Sequence, residues 1–464
     1  MRLTFRSPMP ASADALFRWH EQPGAFERLV PPWTDTRLVS FEGIRDGQKA
    51  VLRIGVGPVS VKWTAVHEGY VPGVKFEDRM RSGPFRQWHH IHRMEPAAPG
   101  ASVLSDEIDA EPPFGALGRA VGGEALRREL TQQFGYRHRT SAADLAAHAR
   151  YSAEPLRIAI TGATGLIGRA LTAFLTTGGH TVLPIVRTPT AGADEIRWDP
   201  RAGTIEADKL DGLDAVLHLA GEPVFSLRWS DEKKARILGS RERGTDLLAR
   251  TLARLSNKPR VFVSASATGL YGDRGADVLE ENAAPSERGF LPLVVRAWEA
   301  ATAPAADAGI RTAIMRTGVV LTPSGGALQL MLPAFQLGAG GRIGDANTWL
   351  PWIGLDDVLG GYLHALASPE ADGPFNLVAP NPVTMATLAR TLAGILRRPA
   401  FVNVPGGVLS ALSGEAAREM LLASARVVPR RLLEGGYAFR YPDLESALRH
   451  TLGRPRPSAA FPGV

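Results

Sequence analysis

The stretch Ile158–Gly168, IAITGATGLIG, decides the fold. An apolar run ending at Ile160 leads into glycines at positions 162, 165 and 168, and the chain then turns helix-like through Leu171 and Phe174. This order reads as a strand, a tight turn and the start of a helix. At a dinucleotide site each glycine has its own task. Gly162 permits the turn, Gly165 lets the backbone approach a pyrophosphate, and Gly168 allows close helix–strand packing. Unpaired N–H groups at the helix start favour anions, so Gly162, Thr164, Gly165, Leu166, Ile167 and Gly168 are the expected phosphate-side residues.

The following segments extend the pattern. A second strand, Thr181–Val186, ends at Arg187 and Thr188. An NAD-preferring site carries an acid at that strand end to hold the ribose hydroxyls; here there is none, and Arg187 suits a 2′-phosphate, so NADP(H) is favoured over NAD. A third strand, in DAVLHLAGE, brings Leu219, Ala220 and Gly221 towards the nicotinamide half of a cofactor, and Arg241 lies on the long amphipathic stretch that follows. The strand Val261–Ser264 runs on through Ser266 to Tyr271. Arg311–Val320 and Phe375–Val378 supply further strands, and glycine-rich Gly338–Val358 reads as a loop over the substrate side. Strands alternating with helices predict an α/β fold with a Rossmann-type, doubly wound parallel sheet.

A chain of 464 residues implies two or three domains. Its 44% apolar and 22% charged residues are those of a globular protein. The absence of cysteine excludes disulfides, thiolate metal sites and cysteine nucleophiles, and it fits a reducing compartment. The first twenty residues hold no apolar run of signal-peptide length. The longest uncharged run, Thr317–Gly341, is broken by glycine and proline. A cytoplasmic protein without a membrane partner is therefore expected. The net charge of +6 is modest and the arginines are dispersed, without the basic stripe of a nucleic-acid binder.

Residues 1–150 differ in texture. Short strand-like stretches at Thr36–Phe41, Ala50–Val56, Val59–Val66, Val74–Met80, Phe85–Met94 and Ser102–Ile108 are bracketed by a short helix, Ala11–His20, and a long one from Gly123 to about His148. A helix lying across a curved antiparallel sheet is the economical α+β packing. Trp88, His90 and His92 fall on one strand face by the period of two. Two such histidines could join a metal site, but no carboxylate or third histidine stands at an obvious ligand spacing. No metal is expected, and the pair is read as lining a cavity or meeting buried acids. Ala149–Pro155 reads as a linker.

Two resemblances carry further expectations. PGAFERLVPPW (Pro23–Trp33), GPFRQWHHIHR (Gly83–Arg93) and FGYRHRTSAADL (Phe134–Leu145) resemble the START-like, helix-grip (SRPBCC) domains; the resemblance implies a hydrophobic small-molecule ligand. From about residue 156 to 455, the motifs TGATGLIGRAL, LAGEPV, RWSDEKK with GSRERGT, SASATGLYG, RAWEAA, RTGVVL and PWIGLDD resemble the extended short-chain dehydrogenase/reductase superfamily. Within it they resemble the epimerase-like SDR39U-type, or YfcH-like, subfamily, whose C-terminal domain of unknown function is matched by Leu421–Leu448. The domains expected are a helix-grip domain at 1–150, an NADP-binding domain at 155–400 and a small C-terminal domain at 401–455.

The superfamily's chemistry implies a tyrosine, a lysine four residues later and a nearby hydroxyl. The sequence holds no Tyr-x-x-x-Lys. The corresponding helix reads GFLPLVVRAWEAA, with Phe290 or Leu291 near the tyrosine position and Val295 near the lysine position. An apolar side chain transfers no proton. Arg241 stands where asparagine is usual and suits the cofactor's phosphates or ribose. Ser264, counted with the cofactor residues, and Glu222, Arg228 and Arg316 are further polar candidates; Ser266 and Tyr271 are the candidate catalytic hydroxyls. Two functions stay open: an NADP(H)-dependent oxidoreductase or epimerase-like enzyme of a carbonyl or sugar substrate, and an NADP(H)-responsive binding protein without turnover.

Overall fold

The computed structural model describes residues 1–56, 59–113, 115–151, 154–188, 194–226 and 228–455. The chain divides into two compact units, Met1–Ser152 with Ala173–Gly179 and Arg449–Val464, and Ala153–Thr172 with His180–Leu448.

In the first unit, among the described residues, one antiparallel sheet has the order β1-β7-β6-β5-β4-β3-β2. Its strands are β1 (Arg2–Met9), β2 (Thr36–Phe41), β3 (Lys49–Val56), β4 (Val59–Val71), β5 (Lys75–Ser82), β6 (Gln87–Ala98) and β7 (Ala101–Glu111). Alternation sets the faces: Trp88, His90, His92 and Met94 of β6 are buried while the residues between them are partly exposed. Three helices accompany the sheet, α1 (Ala13–Glu21), α2 (Ala25–Leu29) and α3 (Gly115–Arg150). Ser12 caps α1, its hydroxyl accepting from the Ala15 N–H at 3.3 Å, and Leu16, Phe17, Trp19 and His20 form the buried stripe. Phe134 of α3 stacks on Phe5 with ring centroids 4.9 Å apart. The sequence misses only β1 and α2 in this unit.

The second unit holds, among the described residues, an eight-stranded sheet in the order β11-β10-β9-β8-β12-β13-β15-β19. In chain order its elements begin with β8 (Arg157–Thr161), α4 (Leu166–Thr177), β9 (Thr181–Val186), β10 (Ile196–Asp199), β11 (Thr204–Ile205), β12 (Ala215–His218), α5 (Asp231–Arg254) and β13 (Val261–Ala267). Then follow β14 (Val278–Leu279), α6 (Phe290–Ala300), α7 (Ala303–Asp307), β15 (Arg311–Thr317), β16 (Val319–Leu321), α8 (Gly326–Gln336), β17 (Trp349–Leu350), β18 (Trp352–Gly354), α9 (Leu355–Ala367) and β19 (Gly373–Leu377). The unit ends with β20 (Val383–Thr384), α10 (Met385–Leu396), α11 (Gly406–Ala417), β21 (Arg426–Val427), α12 (Arg430–Glu434) and α13, which spans Leu444–Thr451.

All pairings from β10 to β19 are parallel; β11 alone pairs antiparallel with its neighbour. Ile158, Ala159, Ile160, Ala215, Val216 and Leu217 are each fully buried. Such continuous apolar runs, without alternation, belong to strands covered on both faces. The order reverses between β8 and β12, which makes the carboxyl ends of these two strands the topological switch point. The expected loop at Gly338–Val358 is only partly irregular. It contains β17, paired with β20, and β18, paired with β16, and it runs into α9. The aromatic pair Trp349 and Trp352 explains this, since Trp352 is buried and its indole N–H donates to the Asn381 carbonyl at 3.1 Å. No described helix is long and apolar enough to cross a membrane.

Within the first unit, Arg28 of α2 makes a bidentate pair with Asp144 of α3, at 2.7 and 2.9 Å, and both side chains are buried. Removing one partner breaks a buried ion pair. Asp144→Ala is therefore expected to cost this unit about 3–5 kcal/mol in urea unfolding; a loss below about 1 kcal/mol, the size of an exposed pair, would count against it.

Candidate functional site

The glycine turn lies at the switch point. Gly162 has φ of +69°, which a side chain rarely adopts, and the Gly165 N–H closes the turn on the Gly162 carbonyl at 3.0 Å. A Cβ on Gly168 would sit 2.1 Å from that same carbonyl oxygen, so no larger residue fits without moving the turn. On Gly165 a Cβ would meet only the Gly162 oxygen, at 3.3 Å, among the described residues. The backbone is thus tight against the helix and open at Gly165, the shape a pyrophosphate requires. Thr164, Gly165 and Leu166 are exposed there.

A hydroxyl fixes the neighbouring strand end. Thr161 Oγ1 accepts from the Leu219 and Ala220 N–H groups, at 3.0 and 3.1 Å, and lies 2.8 Å from His218 Nδ1. Having accepted twice, the hydroxyl donates its proton to the imidazole, so Nδ1 is unprotonated and His218 is neutral. Burial and the nearby Arg241 cation hold His218 down at about 3. The expected residues Gly162, Leu219, Ala220, Gly221 and Arg241 do come together. A Cβ on Gly162 would be 3.0 Å from the Ala220 nitrogen, and one on Gly221 would be 3.1 Å from Arg241 Cζ. Arg241 donates to the Glu222 carbonyl at 2.9 Å and lies over the Trp298 ring at 4.9 Å; burial lowers its guanidinium to about 10. Arg187 is exposed at the end of β9.

The catalytic candidates belong to a second, largely buried network. Ser266 Oγ donates to Glu299 Oε1 at 2.6 Å, and Glu299 receives a bidentate pair from Arg316 at 2.9 and 2.8 Å. Burial opposes the Arg316 charge, but Glu299 outweighs it and the guanidinium is raised above its ordinary value. Arg316 also donates to the Tyr271 hydroxyl at 3.0 Å, and that hydroxyl donates to Asn376 Oδ1 at 2.7 Å. Tyr271 is fully buried, and its hydroxyl accepts from and positions Arg316. Ser264 is also fully buried, its hydroxyl donating to the Ala265 carbonyl at 3.1 Å. Glu222 pairs with Lys233 at 2.8 Å, and Arg228 donates to the Leu412 carbonyl at 2.7 Å, tying α5's approach to α11. Helix α6 bears Phe290, Leu291 and Val295 as expected, and its first N–H groups, at Phe290 and Leu291, donate to Glu419 at 2.7 and 2.6 Å. Sequence reasoning missed Thr161, His218, Glu299 and Glu419. Only Glu299, on the same helix as Val295, carried a local signal.

The first unit encloses a cavity of about 1140 Å³, lined by Phe41, Leu52, Trp63, Phe76 and Leu130 among others, with His90 and His92 at its wall. The expectation that these histidines line a cavity and meet buried acids holds. The acids carry no ligand spacing in the sequence because they come from the neighbouring strands. Pairing of β5, β6 and β7 sets Asp78 opposite His90 and Asp106 opposite His92. His90 Nδ1 is 3.0 Å from Asp78, and His92 Nδ1 is 2.8 Å from Asp106. Burial would lower His90, but Asp78 and Asp106 raise it to about 9; both carboxyls are held well below their usual range, against the burial penalty, by the imidazoles. His20, in the same cavity lining and hydrogen-bonded to the Leu16 carbonyl, is lowered by burial to about 4.

A doubly wound sheet with this turn defines a dinucleotide-binding protein of the Rossmann class. Residues 158–378 match the NAD-dependent epimerase/dehydratase family, residues 9–134 the polyketide cyclase/dehydrase and lipid transport family, and residues 404–451 a domain of unknown function, DUF1731. An epimerase family protein of Mycobacterium bovis is 37% identical over 298 residues, covering 64% of this chain and 98% of the relative. The chain belongs to the epimerase family, whose members use nicotinamide cofactors, and carries an additional START-like domain. Among solved structures, a nucleoside-diphosphate sugar epimerase from Corynebacterium glutamicum superposes with a TM-score of 0.81 at 34% identity, over 97% of this chain and 90% of that one. The human epimerase family protein SDR39U1, solved with NADPH, gives 0.60 at 35% identity, over 64% of this chain and 99% of its own.

His218 supplies a pH test. Its folded value of about 3 lies below the ordinary 6.5, so between these values the unfolded chain binds a proton that the folded chain refuses. The stability this contributes is complete above the ordinary value and is lost as the pH falls towards the folded one. Thermal unfolding of the second unit is expected to weaken more steeply between neutral pH and the acid range in the wild type than in His218→Asn. Equal slopes would sink the assignment.

Proposed function

We propose that the second unit is an NADP(H)-dependent, epimerase-like oxidoreductase acting on a carbonyl or sugar carbon, and that the first unit holds a hydrophobic small molecule. On this reading residues 1–150 bind the apolar ligand, 155–400 the dinucleotide, and 401–455 close the second unit, in a cytoplasmic protein. The observation that carries it is the cradle at Gly162, Gly165 and Gly168, tight on one side and open on the other, with Arg187 exposed at the next strand end. The human relative solved with NADPH supports the same cofactor.

When bound, a nicotinamide supplies or accepts a hydride. The chain's own residues hold and orient. Arg187 meets the 2′-phosphate, Arg241 adds positive charge beside Gly221, and the Leu219–Gly221 backbone, fixed by Thr161, borders the nicotinamide half. Ser266 and Glu299 stand at the carboxyl end of β13, where the superfamily's hydroxyl gathers, and a proton is held between them at 2.6 Å. That pair is the best-placed proton store in the absence of Tyr-x-x-x-Lys. Arg316 and Tyr271 position it.

One observation favours the reading without turnover: α6 presents Phe290, Leu291 and Val295 in place of a proton-transferring pair. The two readings separate on product formation from a carbonyl and nucleotide-sugar panel with NADPH consumption. Turnover that falls in Ser266→Ala with NADPH affinity unchanged supports the enzyme; no product from any substrate supports the binding protein.

NADPH is expected to bind more tightly than NADH, and Arg187→Ala is expected to raise the NADPH Kd about 10–100-fold, as loss of a hydrogen bond to a charged group does, with NADH unaffected. Titration by nicotinamide fluorescence reads both. Equal wild-type affinities would overturn the cofactor assignment.

A further inference from the structure

We infer that Asp78, His90 and His92 form a site for a divalent transition-metal ion, opening into the cavity of the first unit. The three offer one ligand atom each, and these atoms lie within 4.8 Å of one another. Asp78 Oδ2 is 3.0 Å from His90 Nδ1 and 3.7 Å from His92 Nε2. Donors bound tetrahedrally to zinc at about 2.0–2.1 Å stand roughly 3.3 Å apart, between those two distances. The donor set of two imidazoles and a carboxylate suits zinc or another first-row divalent ion.

A second observation is independent of the triad itself. Each imidazole turns its other nitrogen to one carboxylate: His92 Nδ1 is 2.8 Å and His90 Nε2 3.3 Å from Asp106 Oδ1. Both nitrogens and this oxygen are fully buried, and they are close without being aligned as hydrogen bonds. The other Asp106 oxygen meets His138 Nε2 at 2.7 Å, and the other Asp78 oxygen accepts from the Trp88 indole N–H at 3.1 Å. A buried carboxylate behind both ligating histidines, and a donor that orients the ligating carboxylate, are the kind of surroundings a metal site builds around itself. The two histidine rings lie side by side, with centroids 3.8 Å apart, between Asp78 and Asp106.

A rival cluster in the same sheet shows the contrast. Glu68, Glu77 and His89 are also grouped, but only half-buried, and Arg79 and Lys75 already neutralise the two acids at 2.7 and 2.5 Å. Asp78, His90 and His92 all line the cavity, and three protein ligands leave coordination positions free. The ligand class that fits is an apolar molecule with an oxygen donor, a carbonyl or carboxylate, at one end.

The test uses the full chain, stripped with a chelator and titrated with zinc by calorimetry, with metal content by mass spectrometry and the visible spectrum of the cobalt form. One ion per chain is expected, with the cobalt spectrum of a low-coordinate site. Asp78→Asn and His92→Gln should each abolish this binding while the far-ultraviolet dichroism is kept. Asp106→Asn should weaken it about 10–100-fold, as loss of an outer-shell partner does. Zinc should raise the melting temperature of the wild type and of Glu77→Gln, and of neither ligand variant. Absence of stoichiometric binding by the wild type overturns the proposal. So does binding that survives both ligand variants, or that Glu77→Gln removes.

Discussion

Two parallel strands, β8 and β12, separate at their carboxyl ends, and one hydroxyl governs how. Thr161 accepts both N–H groups of the departing Leu219–Ala220 backbone and donates to His218. Thr161 and His218 are fully buried, and a buried polar group left without a partner costs about 1–3 kcal/mol. The strand end is thereby held against the glycine turn, close enough that Gly162 can carry no Cβ. Everything at the switch point depends on this spacing. On the proposed reading Gly165 and Gly168 face the phosphates and Ala220 and Gly221 the nicotinamide half, and Arg241 fills the room that Gly221 leaves.

The first unit solves a different problem. Its cavity is largely apolar, yet Asp78 lines it and Asp106 stands behind the lining histidines, both desolvated. Isolated carboxylates would not stay ionised there. They do because strand register places an imidazole directly opposite each one, with His138 and the Trp88 indole satisfying the remaining oxygens. Arg137, stacked over Phe134 at 4.7 Å, adds positive charge to the same wall. A polar anchor of this density inside an apolar chamber distinguishes one end of a ligand from the other. On the proposed reading, the domain would select by headgroup chemistry as well as by volume.

How much of this was legible follows from how local each signal is. The turn at Gly162–Gly168 is local: three glycines between a strand and a helix carry their own geometry, and the parallel sheet follows from the alternation of elements. Arg187 at a strand end is local too. The histidine pair is half local, since period two puts His90 and His92 on one face. Its acid partners sit on neighbouring strands twelve residues before His90 and fourteen after His92, and only the antiparallel register brings them together. Likewise, Glu419 caps α6 from 129 residues away, and Asn376 reaches Tyr271 across 105. Such pairs have no spacing signature, because what joins them is the tertiary path of the chain.

The same distinction bears on the missing tyrosine and lysine. A proton donor and a nearby cation are what the superfamily's helix normally contributes, and α6 contributes apolar residues in their place. The charge has not left the neighbourhood. One turn beyond Val295, Glu299 gathers Ser266 on one side and Arg316 on the other, and Arg316 is in turn locked by Tyr271 and the Glu281 carbonyl at 2.8 Å. A hydroxyl, a carboxylate and a guanidinium in line at the end of β13 hold a proton and a compensating charge with different atoms. Every member but the serine has a second partner in the network. On the proposed reading the serine, whose hydroxyl donates to Glu299, is the member from which a proton would pass to a substrate.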